Sequence, residues 1–324
     1  MRMYKLCALC LVVVLLAPAA SFAAPEFTLK FGHLANEENS WHKAALKFAD
    51  IVKERSNGRV EVKVYPNEQL GKELDTVTSI QMGTADMVIS GGSLMNWAPR
   101  IGVMECPTVI RDSEHLQTVA GGEIGAEIEA EILEKIGLRA IAWFERGPRN
   151  LTSNKPMVKP EDAQGMILRV PNSILYVKFW EAVGAKPTPM AFSEVFTSLQ
   201  QGTIDGQENP LSLIKSAGFF EVQKYVNLTE HLITWIYVLI GEKQFQSMPE
   251  DLQQIILEAG KEMQAYEHQL FLEDELKLKT ELEEAGMTFV EVDKQAYAEK
   301  GKPGLMEGLT PEQKELFLRI VETK

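Results

Sequence analysis

The stretch FTLKFGHLANEENSWHKAALKFADIVKERSNGRVEVKVY, from Phe27 to Tyr65, decides the fold class. Its first eight residues alternate along the chain as a β-strand does. Residues 40–58 then place their apolar side chains on one face of a helix, with Ser40 as a suitable N-cap. Alternation returns over residues 59–67, where three valines fall on one side. The stretch therefore predicts a strand, a helix and a second strand in succession.

The same order recurs along the chain, with further strands predicted at 85–92 and 166–172 and further helices at 70–83 and 173–184. Strands that alternate with helices favour parallel pairing through right-handed crossovers. We therefore predict an α/β protein with two domains and a long bridging helix. The expected division is a signal peptide over 1–23, a first α/β domain over 24–148 with part of the C-terminal region, a second α/β domain over 149–235, and a crossover strand, bracing helix and C-terminal elements over 236–324.

The bracing helix is predicted from its beginning and its length. Ser247 and Glu250 have the spacing of a capping box around Pro249. No strong helix breaker follows before Gly286, which corresponds to a helix on the order of 55 Å long. That length exceeds the width of one domain, so we expect the helix to lie across both.

The N-terminus has the pattern of a cleaved export signal. Arg2 and Lys5 precede an apolar run that is shorter than the roughly 20 residues a bilayer requires, and small residues end in Ser21-Phe22-Ala23. No later segment is long and uncharged enough to span a membrane. Cleavage would also remove the Cys-Ala-Leu-Cys sequence and leave Cys106 as the remaining thiol. We therefore expect a periplasmic protein without a disulfide.

The composition excludes several classes of function. The chain has a net charge of −13, which becomes −15 when Arg2 and Lys5 are removed, and dispersed acidity argues against nucleic acid as a partner. The five histidines show no metal-ligand spacing, and the chain contains no nucleophile elbow or phosphate-binding loop. We expect no cofactor, no metal and no catalysis.

Arg169 is the most informative polar residue. It lies in the predicted strand MILRVPN, where a guanidinium is costly unless an anionic group meets it. Three explanations are open: an internal Asp or Glu partner, an exposed strand end, or a ligand carboxylate held by two parallel hydrogen bonds. The later stretch IDGQENP, which includes Asn209, resembles the polar loops that line small-molecule clefts.

These segments carry a resemblance to a known family. The sequences LRVPNS (168–173), GAKPTPMAFSEVFTSLQQGTIDGQENPL (184–211) and FFEVQKYVNLTEH (219–231) resemble the solute-binding subunits of tripartite ATP-independent periplasmic (TRAP) transporters, of the DctP family. Further matches at 29–33, 64–71, 105–116 and 247–256 extend the resemblance over nearly the whole mature chain. The resemblance implies the two-domain periplasmic binding protein fold, with a ligand cleft between the domains and a helix that braces both. It also implies that the protein closes on an organic acid and delivers it to the membrane subunits of a TRAP permease. We expect it to act as a monomer.

The resemblance also implies site residues. The carboxylate-binding arginine of the family matches Arg169, its second basic contact Arg149, and its amide contact Asn209. The aromatic floor of the sialic-acid-binding members matches Phe192, and Asn172 falls at a pocket-lining position.

Two departures bear on the ligand. Gly91 stands where the sialic-acid binders have an acidic residue, and Leu34 stands where they have an asparagine. Trp143 and Trp235 are candidates to fill the space, and further aromatic candidates are Trp97, Phe144 and Tyr176. We therefore expect an organic monocarboxylate with a bulky or aromatic body, such as an aromatic amino or keto acid. The alternatives are a sugar acid, a C4-dicarboxylate, or a periplasmic enzyme on the same scaffold.

Overall fold

The computed structural model describes residues 24–324, so the predicted signal peptide lies outside the described residues. Two separate sheets organise the chain. The first sheet has the spatial order β2 (Val60–Tyr65), β1 (Phe27–Gly32), β3 (Met87–Ser90), β10 (Thr234–Gly241), β4 (Leu138–Arg146). The second has the order β11 (Thr288–Val290), β9 (Tyr225–Asn227), β5 (Asn150–Ser153), β8 (Gly206–Asn209), β6 (Ile167–Val170), β7 (Lys186–Pro189).

Helices cover both sheets, as expected for an α/β protein. The α-helices are α1 (Ser40–Arg55), α2 (Glu73–Gln81), α3 (Ser113–Ala120), α4 (Glu123–Ile136), α5 (Ile174–Val183), α6 (Val195–Gln200), α7 (Leu211–Ser216), α8 (Glu242–Gln246), α9 (Glu250–Glu275), α10 (Leu278–Glu284), α11 (Lys294–Gly308), α12 (Pro311–Glu322). None of the described helices combines the length and the apolar character that crossing a membrane requires.

The chain moves between the two sheets more than once. It leaves the first sheet after Arg146, enters the second at Asn150, and returns between Asn227 and Thr234. We call the first sheet with its packed helices the first lobe (residues 27–146 and 234–275) and the part built on β5 to β9 the second lobe (residues 150–227). The boundary predicted between residues 235 and 236 falls inside β10. The remaining domain bounds stay predictions.

The prediction of parallel pairing holds for some strands and fails for others. β1 pairs in parallel with β2 and β3, but β10 is antiparallel to both β3 and β4, and β5 is antiparallel to β8 and β9. β10 begins where the chain re-enters the first lobe, so it runs opposite to strands that were laid down earlier. The alternation of a strand determines which face of the sheet each side chain points to. It does not determine whether the strand runs parallel or antiparallel to its neighbours.

The bracing helix is also shorter than predicted. α9 ends at Glu275, and α10 starts at Leu278 after a break at Leu276 and Lys277. α9 packs against α1 and β4 of the first lobe, while α10 contacts α7 of the second. Two consecutive helices therefore connect the lobes in place of one continuous rod. The helix α1 differs at its start as well, since its N-cap is Asn39, whose side chain accepts a hydrogen bond from the Trp41 amide.

A buried acid lies on α9 at its contact with α1. Glu267 is 1% exposed, and its Oε1 accepts a 2.8 Å hydrogen bond from the Ser40 hydroxyl. Its Oε2 has no hydrogen-bond partner within residues 24–324. Burial raises the pKa of Glu267 to about 8, and the nearby charges of Glu145 and Asp274 raise it further, whereas the Ser40 hydrogen bond lowers it. Glu267 is therefore protonated in the folded protein at neutral pH.

We predict that Glu267→Gln makes folding stability less dependent on pH. In the wild type, the raised pKa contributes stability that is fully present below about pH 4.5, is lost as the pH rises, and is gone above about pH 8. The amide of the glutamine variant cannot ionise, so its free energy of unfolding does not fall with rising pH from this cause. The fall that the substitution removes amounts to up to about 4 kcal/mol. Urea unfolding at pH 5 and pH 9 measures it, with Glu273→Gln, an exposed change on the same helix, as the control. An unchanged pH dependence in Glu267→Gln would contradict the prediction.

Candidate functional site

A cavity of about 200 Å³ lies between the two lobes. It is bordered by the C-terminal ends of β4, β6 and β8, which is where α/β folds place their ligands. Of the predicted site residues, it is lined by Leu34, Gly91, Arg149, Arg169, Asn172, Phe192 and Asn209, and also by the candidate Tyr176. The structure therefore brings together most of the residues that the sequence singled out.

Arg149 is paired inside the protein. Its side chain is fully buried, and its Nε and Nη2 donate hydrogen bonds of 2.5 and 2.7 Å to the Glu208 carboxylate. Nη2 also donates to the Glu208 backbone carbonyl at 2.6 Å. His231 lies 3.1 Å from the same carboxylate, and because a carboxylate only accepts, its Nε2 is the donor. An internal carboxylate partner is one of the explanations that the sequence leaves open for Arg169. The structure shows such a partner at Arg149 instead.

The charges of this group are strongly coupled. Burial alone would raise the pKa of Glu208, but the adjacent Arg149 charge and the His231 hydrogen bond outweigh it and hold the pKa at about 2. Burial lowers the pKa of His231, so the imidazole is neutral. Arg149 and Glu208 together therefore bring almost no net charge to the cavity.

Arg169 has a different environment. It lies in β6, is 4% exposed, and its Nε and Nη2 both donate to the Met190 carbonyl, at 3.0 and 2.7 Å. The Phe192 ring lies 5.8 Å from its guanidinium carbon. No carboxylate within residues 24–324 forms an ion pair with it. Burial lowers the pKa of Arg169 to about 10, so it is protonated at neutral pH. The Met190 carbonyl thus holds the Nε–Nη2 edge of the guanidinium. The other edge, which includes Nη1, forms no hydrogen bond within residues 24–324, and we call it the uncommitted edge.

The amide of Asn209 is positioned by a chain of hydrogen bonds. Its Nδ2 donates to the Gln207 side-chain oxygen at 2.6 Å, and the Gln207 amide donates to the Thr152 hydroxyl at 3.1 Å. All three residues are buried. A fixed amide beside Arg169 is the arrangement that orients a carboxylate in a cleft.

The two tryptophans predicted to bind ligand do not line the cavity. Trp235 is fully buried in the core, with its ring 6.3 Å from that of Tyr237. Trp143 lies beside α9, where its backbone amide donates to the Gln264 side chain at 3.0 Å. Strand alternation shows that residues share a face, but not which face borders the cleft, so the sequence alone could not place these two side chains. Phe144 is also in the core.

The space expected at Gly91 is also missing. A Cβ atom added at Gly91 would lie 3.3 Å from the Ile236 side chain, which itself lines the cavity. The glycine therefore marks close packing against β10, not a vacancy for an aromatic ligand.

Sequence reasoning missed six charged residues that line the cavity, which are Glu68, Lys72, Glu73, Asp75, Glu105 and Arg146. Glu73 begins α2 and accepts hydrogen bonds from the Ser90 and Ser93 hydroxyls at 2.6 and 3.3 Å. Burial raises the pKa of Glu73. An acidic residue in the first turn of a helix is common because it stabilises the helix dipole. Nothing in the sequence therefore marked Glu73 as a residue of the cavity.

Glu105 did carry a signal in the sequence. It lies in the apolar segment around Cys106 and is 3% exposed, so the argument applied to Arg169 also applies to it. Its carboxylate accepts hydrogen bonds from the Tyr176 hydroxyl and, at 3.2 Å, from the Gly92 amide. A Cβ at Gly92 would lie 2.0 Å from the Glu105 side chain, so only glycine fits there. Both glutamates thus bring hydrogen-bond acceptors from the first lobe into the cavity.

Comparison with known proteins gives one consistent family. The family model described as bacterial extracellular solute-binding protein, family 7 (DctP), matches residues 31–308. A solute-binding protein of Roseobacter denitrificans is 51% identical over 300 residues, which cover 93% of this chain and 92% of the relative. The 2,3-diketo-L-gulonate-binding periplasmic protein YiaO of Escherichia coli is 33% identical, with 84% of each chain covered.

Solved structures agree with these relatives. A TRAP periplasmic solute-binding protein from Roseobacter denitrificans with bound L-galactonate has a TM-score of 0.90 and 49% identity, and the match covers 92% of this chain and 99% of that one. A TRAP periplasmic solute-binding protein from Xanthobacter autotrophicus with bound β-D-galacturonate has a TM-score of 0.87 and 30% identity, over 91% of this chain and 100% of that one. The predicted family and the two-domain α/β fold are confirmed.

Proposed function

Because this chain belongs to family 7 of the bacterial extracellular solute-binding proteins (DctP), we propose that it captures a sugar acid of the aldonate type. Two of the solved relatives support this choice over an aromatic acid, since they contain bound L-galactonate and β-D-galacturonate. The expectation of an aromatic amino or keto acid is weakened, because Trp143 and Trp235 do not line the cavity and only Phe192 and Tyr176 among the aromatic candidates do.

The proposal rests on the polar residues with which the first lobe lines the cavity. Glu73 and Glu105 line the cavity opposite Arg169, and Ser93 lies beside them. Sugar hydroxyls are donors that carboxylates accept, and buried polar groups need such partners. Each carboxylate already accepts two hydrogen bonds from the protein but has further acceptor sites facing the cavity, and an aromatic body would bury those sites without offering a donor.

The proposed pose follows from the two unlike walls. The ligand carboxylate meets the uncommitted edge of Arg169 and the Asn209 amide in the second lobe. The hydroxyl-bearing carbons extend toward Glu73 and Glu105 in the first lobe. A ligand with both ends occupied bridges the lobes, so its binding favours the closed arrangement.

The cellular role follows the family. The protein acts in the periplasm after export by the N-terminal signal, works as a monomer, and presents its ligand to the membrane subunits of a TRAP permease. No covalent change of the ligand is part of this role.

The test is a thermal-shift and calorimetry screen of the purified protein. We expect L-galactonate to raise the melting temperature, because a ligand at 100 times its Kd stabilises the native state by about 2.7 kcal/mol. Galactitol, which lacks the carboxylate, is the matched control and should not bind. Binding of indole-3-pyruvate without binding of any sugar acid would refute the proposal.

A further inference from the structure

Arg146 is bound differently from the other two arginines of the cavity. Arg149 is paired with a carboxylate, and Arg169 is held by a backbone carbonyl. Arg146 lines the cavity at the end of β4, and its Nε has no hydrogen-bond partner within residues 24–324. Its guanidinium carbon lies 5.5 Å from the centre of the Trp41 ring, a contact that attracts the charge but satisfies no N–H group. A buried donor of this kind needs an acceptor from outside the chain.

The neighbours of Arg146 identify the chemistry of that acceptor. Glu73 and Glu105 line the same side of the cavity, and their charges act on Arg146 without forming an ion pair with it. A group that enters between them must accept from a guanidinium and donate to a carboxylate. A hydroxyl does both, whereas a carboxylate can only accept and is repelled by the two glutamates.

We propose that Arg146 is a specificity-determining residue that binds the hydroxyl-bearing end of the ligand. A hydroxyl accepts a hydrogen bond from Arg146 and donates one to Glu73 or Glu105. This inference rests on the proposed function and adds to it the part of the ligand that the first lobe recognises.

Because Arg169 and Arg146 bind opposite ends of the ligand, the site discriminates between ligands of different length. Arg169 belongs to the second lobe and holds the carboxylate, while Arg146 belongs to the first lobe and meets the far end of the chain. A six-carbon aldonate presents more hydroxyls to the first lobe than a four-carbon aldonate with the same head. Arg146 therefore favours the longer acid.

The experiment compares Arg146→Gln with the wild type for two ligands, L-galactonate and D-erythronate, by calorimetry and by thermal shift at millimolar ligand. We expect Arg146→Gln to weaken L-galactonate binding about 10- to 100-fold, which corresponds to the loss of a hydrogen bond to a charged group. Its effect on D-erythronate should stay below about threefold. Arg139→Gln is the matched control, because Arg139 lies at the other end of the same strand and pairs with Glu242 away from the cavity.

The outcomes separate this inference from the proposed function. If the wild type binds L-galactonate and Arg146→Gln loses both acids equally or neither, the inference is wrong and the proposed function stands. If the wild type binds no sugar acid, both fail. Arg146→Lys, which keeps the charge, covers the case in which the glutamine variant does not fold. We expect the lysine variant to keep its secondary structure by circular dichroism and to show the same selective loss at reduced size, whereas an equal loss for both acids overturns the inference.

Discussion

Arg169→Ala should abolish detectable binding of the sugar acid, and Arg169→Lys should restore little of it. Two hydrogen bonds to the Met190 carbonyl fix one edge of the guanidinium and leave the other for the ligand carboxylate. Lysine has a single ammonium group and cannot serve the carbonyl and a bidentate carboxylate at once. Loss of such a buried charge pair costs about 2–5 kcal/mol of binding free energy. Calorimetry with L-galactonate measures it.

The fold should survive these changes, because Arg169 supports no ion pair within residues 24–324. Circular dichroism and urea unfolding without ligand check this point. Arg139→Ala serves as the control for removing an arginine that does not line the cavity. Wild-type affinity in Arg169→Lys would show that a point charge is sufficient and that the planar fork has no special role.

Glu208→Ala should destabilise the protein by about 3–5 kcal/mol, because it leaves the Arg149 charge buried without its partner. Both side chains are almost fully inaccessible in the folded protein, so the pair is shielded from solvent. The low pKa of Glu208, about 2, gives the pH dependence. The stability that the pair contributes is present above about pH 4.5 and is lost as the pH falls toward 2. Urea unfolding at pH 7 and pH 3 measures both effects.

A second variant separates the charge from the packing. Arg149→Met combined with Glu208→Leu removes both charges and should recover much of the stability that Glu208→Ala loses, since apolar replacements of a buried pair are often neutral. Glu230→Ala, an exposed change in the loop that precedes β10, should have little effect. If Glu208→Ala costs less than about 1 kcal/mol at pH 7, the buried pair does not carry the stability assigned to it.

The elements that the sequence predicted correctly are those set by local periodicity. The strand at Phe27–Gly32 and the helix at Ser40–Arg55 follow from the alternation and the apolar face in the opening stretch. The antiparallel direction of β10 and the break after Glu275 do not, because each depends on where the chain must go next in space. Residues 276 and 277 have good helix propensity, so no local signal marks that break.

The site divides in the same way. Arg169 was predictable because a cation in a stiff apolar strand needs an anionic partner, whatever the fold. The internal pairing of Arg149 with Glu208 was not, since it requires β5 and β8 to be neighbours. Trp143 and Trp235 were assigned to the cleft from residue type alone, and tryptophan is equally suited to a core. Of the two glutamates of the first lobe, Glu105 carried the same kind of signal as Arg169, whereas Glu73, in the first turn of α2, carried none.

The position of β10 has a consequence for how the molecule is assembled during synthesis. This strand lies between β3 and β4 in the first sheet, yet its residues follow five strands of the second sheet in the chain. Until residue 241 has been made, β3 and β4 have no partner on their facing edges, and an unpaired edge promotes aggregation. The first sheet also depends on contacts between residues that are roughly 150 positions apart, a topology that folds slowly. The first lobe therefore cannot complete its sheet until the chain has passed through the second lobe and returned.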